Sequence, residues 1–206
     1  MYVHGLWLTG LEGGLLRKRL GKDLGAETYA FSYPSVRSSM RDNARSLGGF
    51  LRGLKLDTLH LVGHSLGGLV ILKLFEMGEA AGLPPGRAVL LGSPLNGSRA
   101  ALNLARVPFG RSLLGRGVQE ELLVARLRRW DGQRELGVIA GNLSIGLGRL
   151  MGIGGAPSDG TIFVEETRLV GAAQHRVMRV SHSGLPFSST VARATSAFLR
   201  SGKFSD

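Results

Sequence analysis

The chain has 206 residues, 43% of them hydrophobic, with no cysteine and a formal net charge of +11. That length suits one domain over 1–206 with a sizeable core; no apolar run approaches the roughly 18 residues of a transmembrane helix; and without cysteine, disulfides, zinc–thiolate sites and a thiol nucleophile are excluded. The cations are scattered, clustering only at Arg17-Lys18-Arg19 and 126–129, with no basic stripe carrying interleaved aromatics, so nucleic acid is not an expected partner, whereas an anionic membrane surface or an acidic substrate is compatible with the charge.

In chain order, 1–4 read as a short core strand. The start lacks the basic n-region and small-residue cleavage site of a signal peptide, which points to the cytoplasm. A Gly-rich loop over 5–14 precedes a helix at 15–24. Thr28, Tyr29, Phe31 and Tyr33 favour a strand at 27–33, closed by Pro34. A helix at 38–54 has Ser and Asp at its start. The third strand is 58–62, followed by an apolar-periodic helix over 66–80, the turn Pro84-Pro85-Gly86 and a strand at 87–92. Next come helical stretches at 98–105 and 119–130, a strand at 135–140, a Gly-rich loop over 142–157, a strand at 176–180 and a closing helix at 188–199. Strands alternating with helices argue for βαβ units and a parallel sheet. The stretch between the fourth and fifth strands is much longer than a usual connection, and a cap-like insertion is expected at about 94–133. A crossover helix with one extra helix is its plainer reading.

Between the third strand and its helix stands Gly63-His64-Ser65-Leu66-Gly67, which fits the nucleophile elbow G-x-S-x-G. The elbow is a sharp, strained turn that lifts a serine hydroxyl above the sheet, so its flanks must be small. In a chain with 32 glycines the pattern alone is weak. Its place after a buried strand and at the head of a helix gives it weight.

A serine hydroxyl needs a base, and the base an orienting acid. In open parallel sheets such groups gather at the carboxyl ends of the strands. His64 lies inside the elbow and projects away from the nucleophile. His4 ends the first strand, His60 lies within the third, and His175 precedes the last strand at the wrong end. His182 alone follows the last strand at the serine's end and is the candidate base; its plainer reading is a loop histidine capping the final helix. Asp131 and Glu135 precede the fifth strand, and Glu165 and Glu166 fall in a helical or edge segment. Asp159, in the loop after the fifth strand, is the candidate acid, although Asp-Gly also favours a tight turn. The backbone N–H groups of Leu66 and of Leu6 are the candidate oxyanion donors. Trp7 and Leu95 are candidate pocket walls, or simply core.

Val3-His4-Gly5-Leu6, the elbow through Gly68, Gly92-Ser93-Pro94-Leu95-Asn96-Gly97-Ser98, Ser158-Asp159-Gly160-Thr161 and Ser181-His182-Ser183-Gly184 follow the order seen in α/β-hydrolases of the bacterial lipase/esterase type, including the PGAP1-like branch. The resemblance spans essentially the whole chain. It implies a minimal α/β-hydrolase fold: a six-stranded, mostly parallel sheet with helices on both faces and a short cap. It also implies a Ser65–His182–Asp159 triad, oxyanion donors at Leu6 and Leu66, and acyl-enzyme chemistry on carboxylic or lipid esters, with no cofactor and no metal; the cap, short beside those of true lipases, favours small to medium acyl chains. An acyl-thioesterase or acyltransferase, a membrane-surface phospholipase, and a non-catalytic binding protein with an idle triad are the alternatives.

Overall fold

The computed structural model describes residues 1–123, 128–145 and 156–204. Six parallel strands lie in the order β2-β1-β3-β4-β5-β6. They are β1 (Tyr2–Val3), β2 (Ala30–Phe31), β3 (Leu61–His64), β4 (Ala88–Leu91), β5 (Leu136–Gly141) and β6 (Gln174–Met178). The helices are α1 (Gly14–Leu24), α2 (Met40–Gly53), α3 (Leu66–Glu76), α4 (Arg99–Arg106), α5 (Gly110–Leu122) and α6 (Ser189–Ser201), with a 3-10 turn at Val164–Thr167.

The three central strands are buried along their whole length, as a sheet covered on both faces requires. Strand alternation sends Val62, Val89, Leu91 and Ile139 toward α1 and α6, where they meet Leu16, Leu20, Val191 and Phe198. The opposite side chains, Leu61, Leu90, Leu136 and Val138, pack on α2 and α3, against Leu47, Leu51, Leu69 and Leu74. Ser39 caps α2 by accepting from Asp42 N at 3.1 Å, and Ser188 caps α6 by accepting from Val191 N at 3.3 Å.

Several boundaries differ from the sequence expectation. The strand expected at 27–33 is reduced to Ala30–Phe31, because β2 is an edge with only β1 to pair. The third strand runs to His64, since Gly63 and His64 continue the ladder with Leu90 and Leu91. His60 therefore precedes β3. The last strand begins at Gln174, so His175 lies inside it, paired with Val138. The helix expected over 66–80 stops at Glu76, where Gly78 turns left-handed (φ 72°). Of the helix expected over 119–130, residues 119–122 belong to the end of α5, 124–127 lie outside the described residues, and Arg129 forms a parallel bridge with Val170. α5 is bent at Gly115 (φ 73°), where a side chain would stand 2.2 Å from the Val36 carbonyl oxygen. Most of the Gly-rich loop, 146–155, lies outside the described residues.

Candidate active site

The loops that leave the carboxyl ends of β1, β3, β4, β5 and β6 converge at one edge of the sheet. Ser65 joins β3 to α3 with φ 53° and ψ −121°, a conformation that non-glycine residues avoid. Its N–H donates to Leu91 O at 2.8 Å and its carbonyl accepts from Gly68 N at 3.1 Å, so neighbouring elements hold the strained turn. The turn is also tightly enclosed: a Cβ on Gly67 would lie 2.1 Å from Val3 O. Ser65 Oγ stands 3.0 Å from His182 Nε2, and His182 Nδ1 stands 2.7 Å from Asp159 Oδ2. Facing a carboxylate, Nδ1 carries the imidazole proton, which leaves the Nε2 lone pair toward the serine hydroxyl.

Asp159 is buried, at 1% exposure, and its carboxylate is fully engaged. Oδ1 accepts from Thr161 N at 2.9 Å and Ile162 N at 2.7 Å, while the backbone carbonyl accepts from His182 N at 2.8 Å. The acid thus grips its histidine through side chain and main chain together. Gly92 closes the remaining space. A Cβ there would meet Leu185 at 2.6 Å, Asp159 Oδ2 at 3.1 Å and His182 Nδ1 at 3.2 Å.

The loop after β1 lies against the elbow, with a Cβ on Gly5 falling 3.0 Å from Ser65 Cβ. Among the described residues neither Leu6 N–H nor Leu66 N–H is taken up by a hydrogen bond, and Leu66 opens α3, where the helix dipole is positive. His4 fixes this loop. Its Nδ1 donates to Gly5 O at 2.7 Å, its Nε2 accepts from Tyr33 N at 3.1 Å, and its ring stacks on Tyr33 at 4.3 Å. Burial holds its pKa below the ordinary histidine value.

His64 stands closer to the chemistry than its projection away from Ser65 suggests. Its Nε2–H donates to the His182 carbonyl at 3.2 Å, and the two rings are 5.1 Å apart. Burial, reinforced by the nearby His182, pushes its pKa down to about 3, so it is neutral. The sequence carried no signal for this contact, which joins residues 118 positions apart. The remaining groups sit elsewhere. His60 Nδ1 accepts from Arg87 N, and His175 shares a hydrogen bond with the Thr167 hydroxyl. Asp131 hydrogen-bonds Gln133, and Glu135 pairs with Arg87. Glu166 accepts from Arg99 N at 2.7 Å and Phe163 N at 2.9 Å, which ties the 3-10 turn to the start of α4, and burial holds its pKa above the usual carboxylate range. Glu165 lies beside it in the same turn. Trp7 is 56% exposed, with Nε1–H donating to Leu113 O at 2.9 Å. Leu95 is fully buried in the α2–α3 core, which places it inside the packing rather than on an open wall. Among the described residues no group of three His, Cys, Asp or Glu side chains could hold a metal ion, and no helix is long and apolar enough to cross a membrane.

The sequence profile of the alpha/beta hydrolase family matches residues 2–179. The chain belongs to that family. No curated protein matches it in sequence. Among solved structures it is similar to the mature lipase BlEst2 of Bacillus licheniformis, with a TM-score of 0.74 at 17% identity over 98% of this chain and 91% of the other. It is also similar to the phospholipase PlaB of Legionella pneumophila, with a TM-score of 0.72 at 19% identity over 96% of this chain, and it spans 54% of that longer protein. The RedJ thioesterase from the prodiginine pathway of Streptomyces coelicolor gives a TM-score of 0.61 at 15% identity over 96% of this chain and 82% of the other. At these identities the likeness establishes the alpha/beta-hydrolase fold, and a lipase, a phospholipase and a thioesterase share it.

Proposed function

We propose that this hydrolase is a serine carboxylic ester hydrolase that uses Ser65, His182 and Asp159 as its catalytic triad. The reading is carried by one observation, the continuous hydrogen-bond chain from Ser65 Oγ through the His182 ring to Asp159 Oδ2. In the first step His182 Nε2 takes the Ser65 proton as Oγ attacks the ester carbonyl. The Leu6 and Leu66 amides receive the oxyanion, and the Asp159 carboxylate stabilises the imidazolium that forms. His182 then protonates the leaving alcohol. In the second step it takes a proton from water, whose oxygen attacks the acyl-Ser65 carbonyl. Collapse of that intermediate returns the proton to Ser65 and releases the acid.

We assign the α4–α5 stretch, within about 94–133, as a short cap on this single domain, and Trp7 as a wall beside the oxyanion loop. A short cap favours small to medium acyl chains and fits the bacterial lipase/esterase type, with its PGAP1-like branch as the finer placement. Ser65→Ala should lower turnover of p-nitrophenyl esters by about 10⁴-fold or more while leaving the fold intact, and a chain-length series on the wild type reads the acyl preference. Retained turnover in Ser65→Ala would overturn the assignment. The shared fold with a thioesterase keeps acyl thioesters as the second substrate class, and side-by-side rates on acyl-CoA and p-nitrophenyl esters separate the two.

A further inference from the structure

The exposed apolar side chains are unevenly placed. Val107, Phe109 and Leu113 crowd the turn between α4 and α5, and Trp7 joins them through its bond to Leu113 O. Phe109 is the most exposed large apolar side chain among the described residues, at 85%, and its backbone is left-handed (φ 62°, ψ −3°). An aromatic facing water in a strained conformation serves neither the core nor the turn, where glycine or asparagine is the ordinary occupant. The turn is also basic. Residues 99–119 hold Arg99, Arg106, Arg111 and Arg116 and no acidic residue. Arg106 and Arg111 flank Phe109, are exposed, and pair with no carboxylate among the described residues. The same turn reaches the candidate site, because Trp7 follows directly on the loop whose Gly5 lies against Ser65.

We propose that the α4–α5 turn docks the protein on an anionic lipid surface. Val107, Phe109, Leu113 and Trp7 enter the boundary between headgroups and acyl chains, and Arg106 and Arg111 pair with lipid phosphates. The net charge of +11 draws the molecule to such a surface. A second copy of this chain fits the turn poorly, since a two-fold contact would set these arginines against each other. The docking is independent of the reaction; the substrate class it implies, a lipid ester presented to Ser65 from that surface, rests on the ester-hydrolase reading above.

Cosedimentation of the full chain with phosphatidylcholine vesicles, with and without phosphatidylglycerol, tests the proposal. The wild type is expected to bind the anionic vesicles at least about tenfold more strongly than the neutral ones and to be released by high salt. Phe109→Asn and Phe109→Gly both suit the left-handed backbone, so they remove the ring without unfolding the turn, and each should lower binding by about tenfold. The pair Arg106→Gln with Arg111→Gln should lower it by about twentyfold. All of these variants should keep the melting temperature and the turnover of a soluble short ester. Ser65→Ala should bind vesicles like the wild type, so that docking and hydrolysis fail separately. Equal binding to neutral and anionic vesicles, wild-type binding by the Phe109 variants, or a dimer in sedimentation velocity that Phe109→Asn dissociates would overturn it.

Discussion

Ser65 is held at φ 53° by its bonds to Leu91 and Gly68, and the surrounding fold sustains that strain. Glycine at this position relaxes the backbone, whereas alanine does not. Ser65→Gly should therefore be about 1 kcal/mol more stable than Ser65→Ala, read from urea midpoints, with both inactive on p-nitrophenyl esters. His64 makes the stability of the fold depend on pH. Its folded pKa of about 3 lies below its unfolded value of about 6.5. The unfolded chain therefore binds the extra proton as pH falls below the unfolded value, and stability drops through that window toward the folded pKa. Between pH 7 and pH 4.5 this group alone should cost the fold on the order of 2–3 kcal/mol, and His4, whose pKa burial also lowers, acts in the same direction. His64→Gln should flatten the slope when urea midpoints are compared across that range. The positions of Ser65, Asp159 and His182 could be read from the sequence because strand polarity restricts which loops share an edge. The His64 contact could not, since it depends on how two distant loops pack.

At the scale of elements, the acid loop depends on what borders it. Gly92 ends β4 at φ 56°, against both Asp159 and His182. Gly92→Ala should displace that pair and lower kcat by about a hundredfold, with KM for a short ester little changed. Glu121 on α5 accepts from Arg128 Nη2 at 2.6 Å and from Lys73 Nζ of α3 at 3.0 Å, and Arg128 also donates to Leu95 O at 2.6 Å. This buried cluster ties α5 to the elbow helix and to the segment entering β5. Burial pushes the Glu121 pKa upward, but the two cationic donors outweigh it and hold the group below the usual carboxylate range. Glu121→Gln leaves the buried Arg128 without the Glu121 carboxylate, while Lys73 keeps Glu76 at 2.6 Å, and should cost about 3 kcal/mol by chemical denaturation. The parallel sense of the strands was legible in the sequence, because strands alternating with helices argue for βαβ units, whereas their order across the sheet depends on tertiary pairing and was not. Nor was the true extent of α5. Phe109 turns left-handed to start it and Gly115 interrupts it, so its apolar pattern carries no single helical period.

For the molecule as a whole, a net charge of +11 means self-repulsion, and exposed ion pairs such as Arg45–Asp42 and Arg116–Glu120 offset little of it. Added salt should therefore raise the melting temperature by about 2–4 °C, the opposite of a fold held by surface salt bridges. Hydrolysis as proposed depends on one hydroxyl, and covalent labelling reads its reactivity. A fluorophosphonate should attach once per chain, with peptide mass spectrometry placing the adduct on Ser65, and His182→Ala should slow the reaction by several orders of magnitude. An unlabelled wild type, or an adduct on any other serine, would rule out Ser65 as the nucleophile.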